Sequence, residues 1–128
     1  MRLLLDTCTF LWLISDSPHL SARAREQFAL PENEVYLSAA SAWEIAVKER
    51  LGRLPLPAPP AEFVPSQRSA HGIEPLAVDE EAALYVAQLP DLHRDPFDRM
   101  LVSQAAVHGL VLMTPDPDIR QYAVRTLW

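Results

Sequence analysis

The chain has 128 residues, 49% hydrophobic and 22% charged, which suits one folded domain with a real core. A formal net charge of −6 excludes a protein that holds nucleic acid mainly through a basic surface. The longest strongly apolar stretch, Phe10–Ile14, is too short to cross a bilayer, and the single Cys8 excludes an internal disulfide.

Arg2–Leu5 reads as a short buried strand. Its apolar run behind Arg2 has the outline of a signal peptide, but Asp6 interrupts it and no small-x-small cleavage site follows. With the lone cysteine, this leads to a cytosolic (cytoplasmic) expectation. Cys8 to about Ser15 is expected as a mostly apolar helix. Ser21 caps a second, running to about Leu30. Val35–Ser38 is a second strand, and Ala39 to about Leu51 a long helix stopped by Gly52. Leu54–Pro60 holds four prolines in seven residues and reads as a stiff extended connection inside one domain, residues 1–128. Ala61 to about Ala70 is helical, Ile73–Leu76 a third strand, and Asp79–Leu89 a helix capped by Asp79. Pro96 to His108, closed by Gly109, leads into the strand Leu110–Met113. A last helix is expected over Asp118–Val124, and an edge strand near Thr126–Leu127. Short, continuously apolar strands alternating with helices imply an α/β/α sandwich around a mainly parallel sheet of four or five strands.

Ligands of such a sheet bind beyond the carboxyl ends of its strands. Asp6 follows the first strand and Asp116 the last core strand. Glu44 lies in the helix after the second strand, and Asp95 and Asp98 open the helix before the fourth. Carboxylates gathered at one edge repel one another unless some stay protonated or a cation binds, and a divalent ion with oxygen ligands is the simplest resolution. Each acid also has an ordinary structural explanation. Asp6 suits a helix N-cap. Asp95-Pro96 and Asp116-Pro117 read as an N-cap followed by proline at N1. Asp98 and Asp118 fall in first turns, where the helix dipole favours acids. Glu44 fits a capping box with Ser41 and an i,i+4 pair with Lys48. Yet the helix is expected to start near Ser38, which leaves Glu44 inside it among Ala40, Trp43, Ile45 and Val47, where an acid needs a partner.

Other chemistries are poorly supplied. His19, His71, His93 and His108 lack zinc spacing. Ser41 and Cys8 have no ordered base. Gly52, Gly72 and Gly109 form no phosphate-cradling loop. Trp12, Trp43 and Trp128 are expected in the core or an interface. Ten arginines stand against one lysine, a bias that suits phosphate contact and equally reflects a GC-rich genome.

The segments Leu4-Leu5-Asp6-Thr7, Ser38–Ile45, His93–Val102 and Thr114-Pro115-Asp116, in this order, resemble the PIN-domain ribonucleases, specifically the VapC toxins of type II toxin–antitoxin pairs. The resemblance covers nearly the whole chain. It implies a PIN-like fold and a metal-dependent endoribonuclease that hydrolyses RNA phosphodiester bonds with Mg2+ or Mn2+. It also implies a small cognate antitoxin and a homodimer, with no membrane attachment. On that resemblance Asp6, Glu44, Asp98 and Asp116 match the acidic quartet, catalytic and metal-binding, and Asp95 is an additional acid and possible metal ligand. Thr7 and Thr114 fall where small polar residues flank the metal site, and Arg94 and Arg99 are candidates for phosphate contact. Cys8 departs from the pattern, where a polar residue is usual. Two rival readings remain: a phospho-acceptor or phosphatase domain, which lacks here the second acid two positions after Asp6, and a silent interaction module on the same fold.

Overall fold

Leu3, Leu4 and Leu5 are all fully buried because β1 (Arg2–Leu5) runs through the centre of the sheet with helices against both faces. The computed structural model describes residues 1–128. β1 pairs on one side with β2 (Glu34–Ser38) and on the other with β4 (Val111–Met113). β3 (Glu74–Leu76) extends the sheet beyond β2, and β5 (Thr126–Leu127) beyond β4. All four pairings are parallel and the order is β3-β2-β1-β4-β5.

Strand alternation divides the core. Leu3 and Leu5 join Val35, Leu37, Val111 and Met113 on one face. This face is covered by α1 (Thr7–Ile14), α2 (Ala22–Ala29) and α4 (Pro60–Ala70), which contribute Phe10, Leu13, Ala24 and Val64. Leu4 and Leu112 point the other way, into Leu101, Val102 and Ala105 of α6 (Pro96–His108) and Ile119 of α7 (Pro117–Arg120). The helix α3 (Ala39–Arg50) feeds both clusters, Ala40 into one and Ile45 into the other. Each fully buried leucine contributes roughly 1.5–3 kcal/mol, so the central strand is a principal anchor of the three layers.

From β1 the chain moves outward to β2 and β3, then returns to β4 on the opposite side of β1. That reversal opens a crevice beyond the carboxyl ends of β1 and β4.

The expected elements form with small shifts at several ends, β2, β3 and β4 each starting one residue away, and with three further differences of extent. The helix expected over Asp79–Leu89 is α5 (Glu80–Tyr85) followed by a single 3-10 turn, Val86–Gln88. The last helix is one turn, Pro117–Arg120, instead of reaching Val124. The chain must come back to the sheet there, and Leu112 N already donates to Arg125 O. The proline-rich stretch ends one residue early, because Pro60 opens α4, where a missing N–H costs nothing. Ser21 and Asp79 cap as expected, and Gly109 ends α6 at φ 65°, a left-handed conformation that favours glycine.

Candidate active site

Five carboxylates converge on this crevice, and most of them also hold a helix end. Asp6, directly after β1, caps α1: its Oδ1 accepts from Thr9 N at 2.7 Å. Its Oδ2 accepts from the hydroxyl of Thr114, just beyond β4. Asp116 caps α7 by accepting from Asp118 N at 2.9 Å, and its own amide donates to Thr114 Oγ1 at 3.0 Å. Asp95 caps α6, with Oδ1 accepting from Phe97 N at 2.9 Å and Asp98 N at 3.1 Å. Asp98 stands one turn in, its Oδ2 paired with His93 Nε2 at 2.8 Å.

Glu44 caps nothing. The cap of α3 is Ser38, which places Glu44 in the helix interior with only 4% of its surface exposed. Burial demands partners. Thr7 donates its hydroxyl to Oε1 at 2.6 Å, and Lys48 pairs with Oε2 one turn along the helix. This bond raises the Lys48 pKa above its ordinary value and keeps the ammonium charged.

The electrostatics bind these groups into one site. Burial raises the Asp6 carboxyl above the usual range, with a smaller push from Asp116, against the hydrogen bonds from Thr114 and Thr9. Asp98 is pushed up to about 6, first by burial and then by the charges of Asp95, Glu44 and Asp116, although His93 pulls the other way. The His93 imidazole is raised in turn, chiefly by its hydrogen bond to Asp98. Burial raises the neighbouring Cys8 thiol, and so do Asp6 and Glu44, which keeps it protonated rather than nucleophilic.

The donor set fits a hard divalent cation. Its oxygens come from five acids, and the counter-charges in contact with those acids are Lys48 and His93. An excess of carboxylate held together against mutual repulsion is what a doubly charged ion relieves. One oxygen each of Asp95, Asp98 and Asp116 accepts no hydrogen bond from the protein, leaving them free for such an ion. His93, Asp95 and Asp98 each offer a donor atom within 4.8 Å of the others.

The structure thus gathers Asp6, Glu44, Asp95, Asp98 and Asp116 at one edge, with Thr7 and Thr114 beside them. It separates the two arginines expected at phosphate. Arg99 donates to the carbonyls of Val86, Pro90 and His93 and to the hydroxyl of Tyr122, so its guanidinium braces the chain around α6. Arg94 is exposed and forms no ion pair. Two features escaped the sequence reading. His93 was passed over for lack of zinc spacing, although five residues before Asp98 it can reach back across the Asp95 cap. Trp43, expected in the core or an interface, lies outside the core: it is 64% exposed and meets Phe97 edge-on, with ring centres 5.0 Å apart, a contact the sequence did not signal.

Comparison with known proteins bears on the family and the fold. The chain is 55% identical over 47 residues to Ribonuclease VapC16 of Mycobacterium tuberculosis (strain ATCC 25618 / H37Rv), a match over 37% of this chain and 33% of that relative, so it spans about a third of the relative's length. The VapBC2 structure from Rickettsia felis, bound to a promoter DNA fragment, superposes with a TM-score of 0.70 over 99% of this chain and 98% of that one, at 13% identity. DNA-bound VapBC from Salmonella typhimurium gives 0.70 over 99% and 97%, at 21% identity. At these identities the two structures speak for the fold. The PIN domain family model matches residues 3–125, almost the full length, and the chain belongs to the PIN domain family.

Proposed function

We propose that this chain is a metal-dependent endoribonuclease and the toxin of a toxin–antitoxin pair, with residues 1–128 forming one domain that acts in the cytoplasm as a homodimer. The observation that carries the reading is the buried Glu44, inside α3 and facing a crevice that also holds Asp6, Asp98 and Asp116. Helix capping explains the other acids in part and leaves Glu44 unexplained. The family membership supports a nuclease, and a relative named as a ribonuclease supports RNA as the substrate. The VapBC complexes of the same fold support a small antitoxin as partner.

On this reading Asp6, Glu44, Asp98 and Asp116 hold Mg2+ or Mn2+, with Asp95 as a further ligand. When bound, the ion supplies positive charge against the phosphoryl oxygens and acidifies water. The protein's own part is to fix the oxygens. Thr114 and the Thr9 amide hold both oxygens of Asp6, Thr7 and Lys48 hold both oxygens of Glu44, and His93 holds one oxygen of Asp98. Rigid donors need no reorganisation as charge develops at phosphorus. Hydrolysis adds the oxygen of water to phosphorus and releases the ribose oxygen, which leaves with a proton. His93, hydrogen-bonded to Asp98 Oδ2, orients that carboxylate toward the ion.

The test is cleavage of cellular RNA by the purified chain in Mg2+ or Mn2+, with chelator and the Asp6→Asn variant as controls and cleavage sites mapped after induction in cells. Cleavage that disappears in chelator and in Asp6→Asn is expected. A folded chain that cleaves no RNA in either ion, and whose expression leaves growth unchanged, removes the proposal.

A further inference from the structure

Beside the acids lies an apolar cavity of about 500 Å³ that the chemistry above does not use. Trp43, Ala40, Phe97, Met100 and Val86 line it, and Arg94 stands at its rim. Such a volume is in the range of ordinary small-ligand sites. Resting on the ribonuclease reading, we propose that this cavity is a nucleobase subsite, in which an unpaired base of the RNA next to the cleaved phosphate stacks on the exposed face of Trp43.

Four observations converge on a base. Trp43 is 64% exposed, a poor use of a large aromatic side chain unless something covers it. Its contact with Phe97 is edge-to-face, at an interplanar angle of 75°, so Phe97 fixes the indole without covering its faces. The cavity is joined to the acids through the backbone on two helices: Trp43 immediately precedes Glu44 in α3, and Phe97 immediately precedes Asp98 in α6. With about 3.6 residues per turn, neighbouring side chains leave a helix roughly 100° apart, so the same two helices carry the cavity wall and the acids on adjoining faces. Finally, Arg94 brings an unpaired cation to the rim in a chain of net charge −6, where a polyanion would need one. The lining belongs mainly to helices and presents no open strand edge, so it offers no backbone ladder to an extended peptide.

Stacking is tolerant of base identity, because every base has an aromatic face. The subsite therefore requires a base without strongly selecting one. The test uses the Asp6→Asn chain in Mg2+ and three fluorescein-labelled probes of equal length: oligouridylate, oligoadenylate and an abasic ribose-phosphate oligomer. Fluorescence anisotropy gives affinity, and tryptophan emission with unlabelled probes reports stacking. Both base-bearing oligomers should bind roughly tenfold more tightly than the abasic one and quench emission. Adding Trp43→Ala should remove the preference and the quenching, while Trp43→Phe should keep most of the preference. Circular dichroism of each variant checks folding. If the abasic oligomer binds equally well, or Trp43→Ala leaves the preference intact, the subsite is overturned while cleavage by the parent chain leaves the ribonuclease reading standing. If Trp43→Ala spares RNA binding but abolishes binding of a cognate antitoxin, the cavity is a peptide site and the proposal is overturned. If the parent chain neither binds nor cleaves any RNA, both readings fall together.

Discussion

Thr114 donates its hydroxyl hydrogen to Oδ2 of Asp6 across 108 residues of chain, and so ties the end of β4 to the end of β1. The same oxygen of Thr114 accepts the Asp116 amide, so one fully buried hydroxyl positions two carboxylates of the crevice. Thr114→Val keeps the shape and removes the hydroxyl. Asp6 then loses its strongest compensation for burial, at a cost of about 1–3 kcal/mol. The expected result is that loss of stability in urea titration, together with at least a tenfold fall in RNA cleavage. Thr114→Ser, which keeps the donor, should restore most of the activity. A Thr114→Val chain as active as the parent would remove Thr114 from the site.

Asp95 combines a cap with a free oxygen, and one substitution separates the two roles. Asn caps a helix as well as Asp does, so Asp95→Asn should alter stability by less than about 0.5 kcal/mol, whereas Asp95→Ala should cost about 1 kcal/mol. Because a donor atom of Asp95 lies within 4.8 Å of those of Asp98 and His93, Asp95→Asn should weaken Mn2+ binding severalfold by calorimetry despite its intact cap. Unchanged Mn2+ affinity in Asp95→Asn would reduce this acid to a cap.

These two acids mark how far the sequence could be read. Strand ends, caps and the parallel sheet were legible because each rests on a local signal: an apolar run, a Ser or Asp before a helix, a glycine after one. Glu44 was legible because its i,i+4 pair with Lys48 accounts for its charge but not for its burial inside α3, where no cap is needed. The partners of the acids were not. Thr114 and Asp6 meet only because β4 docks beside β1, and His93 reaches Asp98 only through the path of the loop between α5 and α6. The short α7 was misjudged for the same reason, since the pairing of β5 with β4 overrides the helical preference of the residues before it. Arg94 and Arg99 looked alike in sequence and differ because only Arg99 points into carbonyls of folded loops.

The raised Asp98 pKa has a thermodynamic consequence. Its folded value of about 6 exceeds the ordinary 3.8, so between those values the folded protein binds more protons than the unfolded chain. Stability in chelator should therefore be greatest below about pH 4 as far as this group is concerned, and fall as pH rises through about 6. Asp6, also raised, acts in the same sense, and His93 continues the trend above its ordinary 6.5. Carried by Asp98 alone, the loss is on the order of 2–3 kcal/mol. Thermal melts in chelator across this range should show the decline relative to Asp98→Asn, which lacks the titrating group. Mn2+ should raise the melting temperature more at pH 7 than at pH 5, because the ion competes with protons for the same oxygens. A parent and an Asp98→Asn chain with parallel pH profiles would contradict the burial of this carboxyl among like charges.

The two arginines should fail in opposite ways. Arg99 is largely buried and satisfies three carbonyls and the Tyr122 hydroxyl, so Arg99→Lys, which cannot span those acceptors at once, should destabilise the fold by about 1–3 kcal/mol. Cleavage per folded molecule should change little at temperatures well below the new melting point. Arg94 touches no acceptor in the protein, so Arg94→Ala should leave stability within about 0.5 kcal/mol. It should instead weaken RNA binding and lower the slope of log affinity against log salt by about 0.7, the contribution of one phosphate contact on a single strand. Binding isotherms of the Asp6→Asn chain at several salt concentrations, with and without Arg94→Ala, measure that slope directly. If the slope does not move, Arg94 is solvated surface and the phosphate is held by the metal site alone.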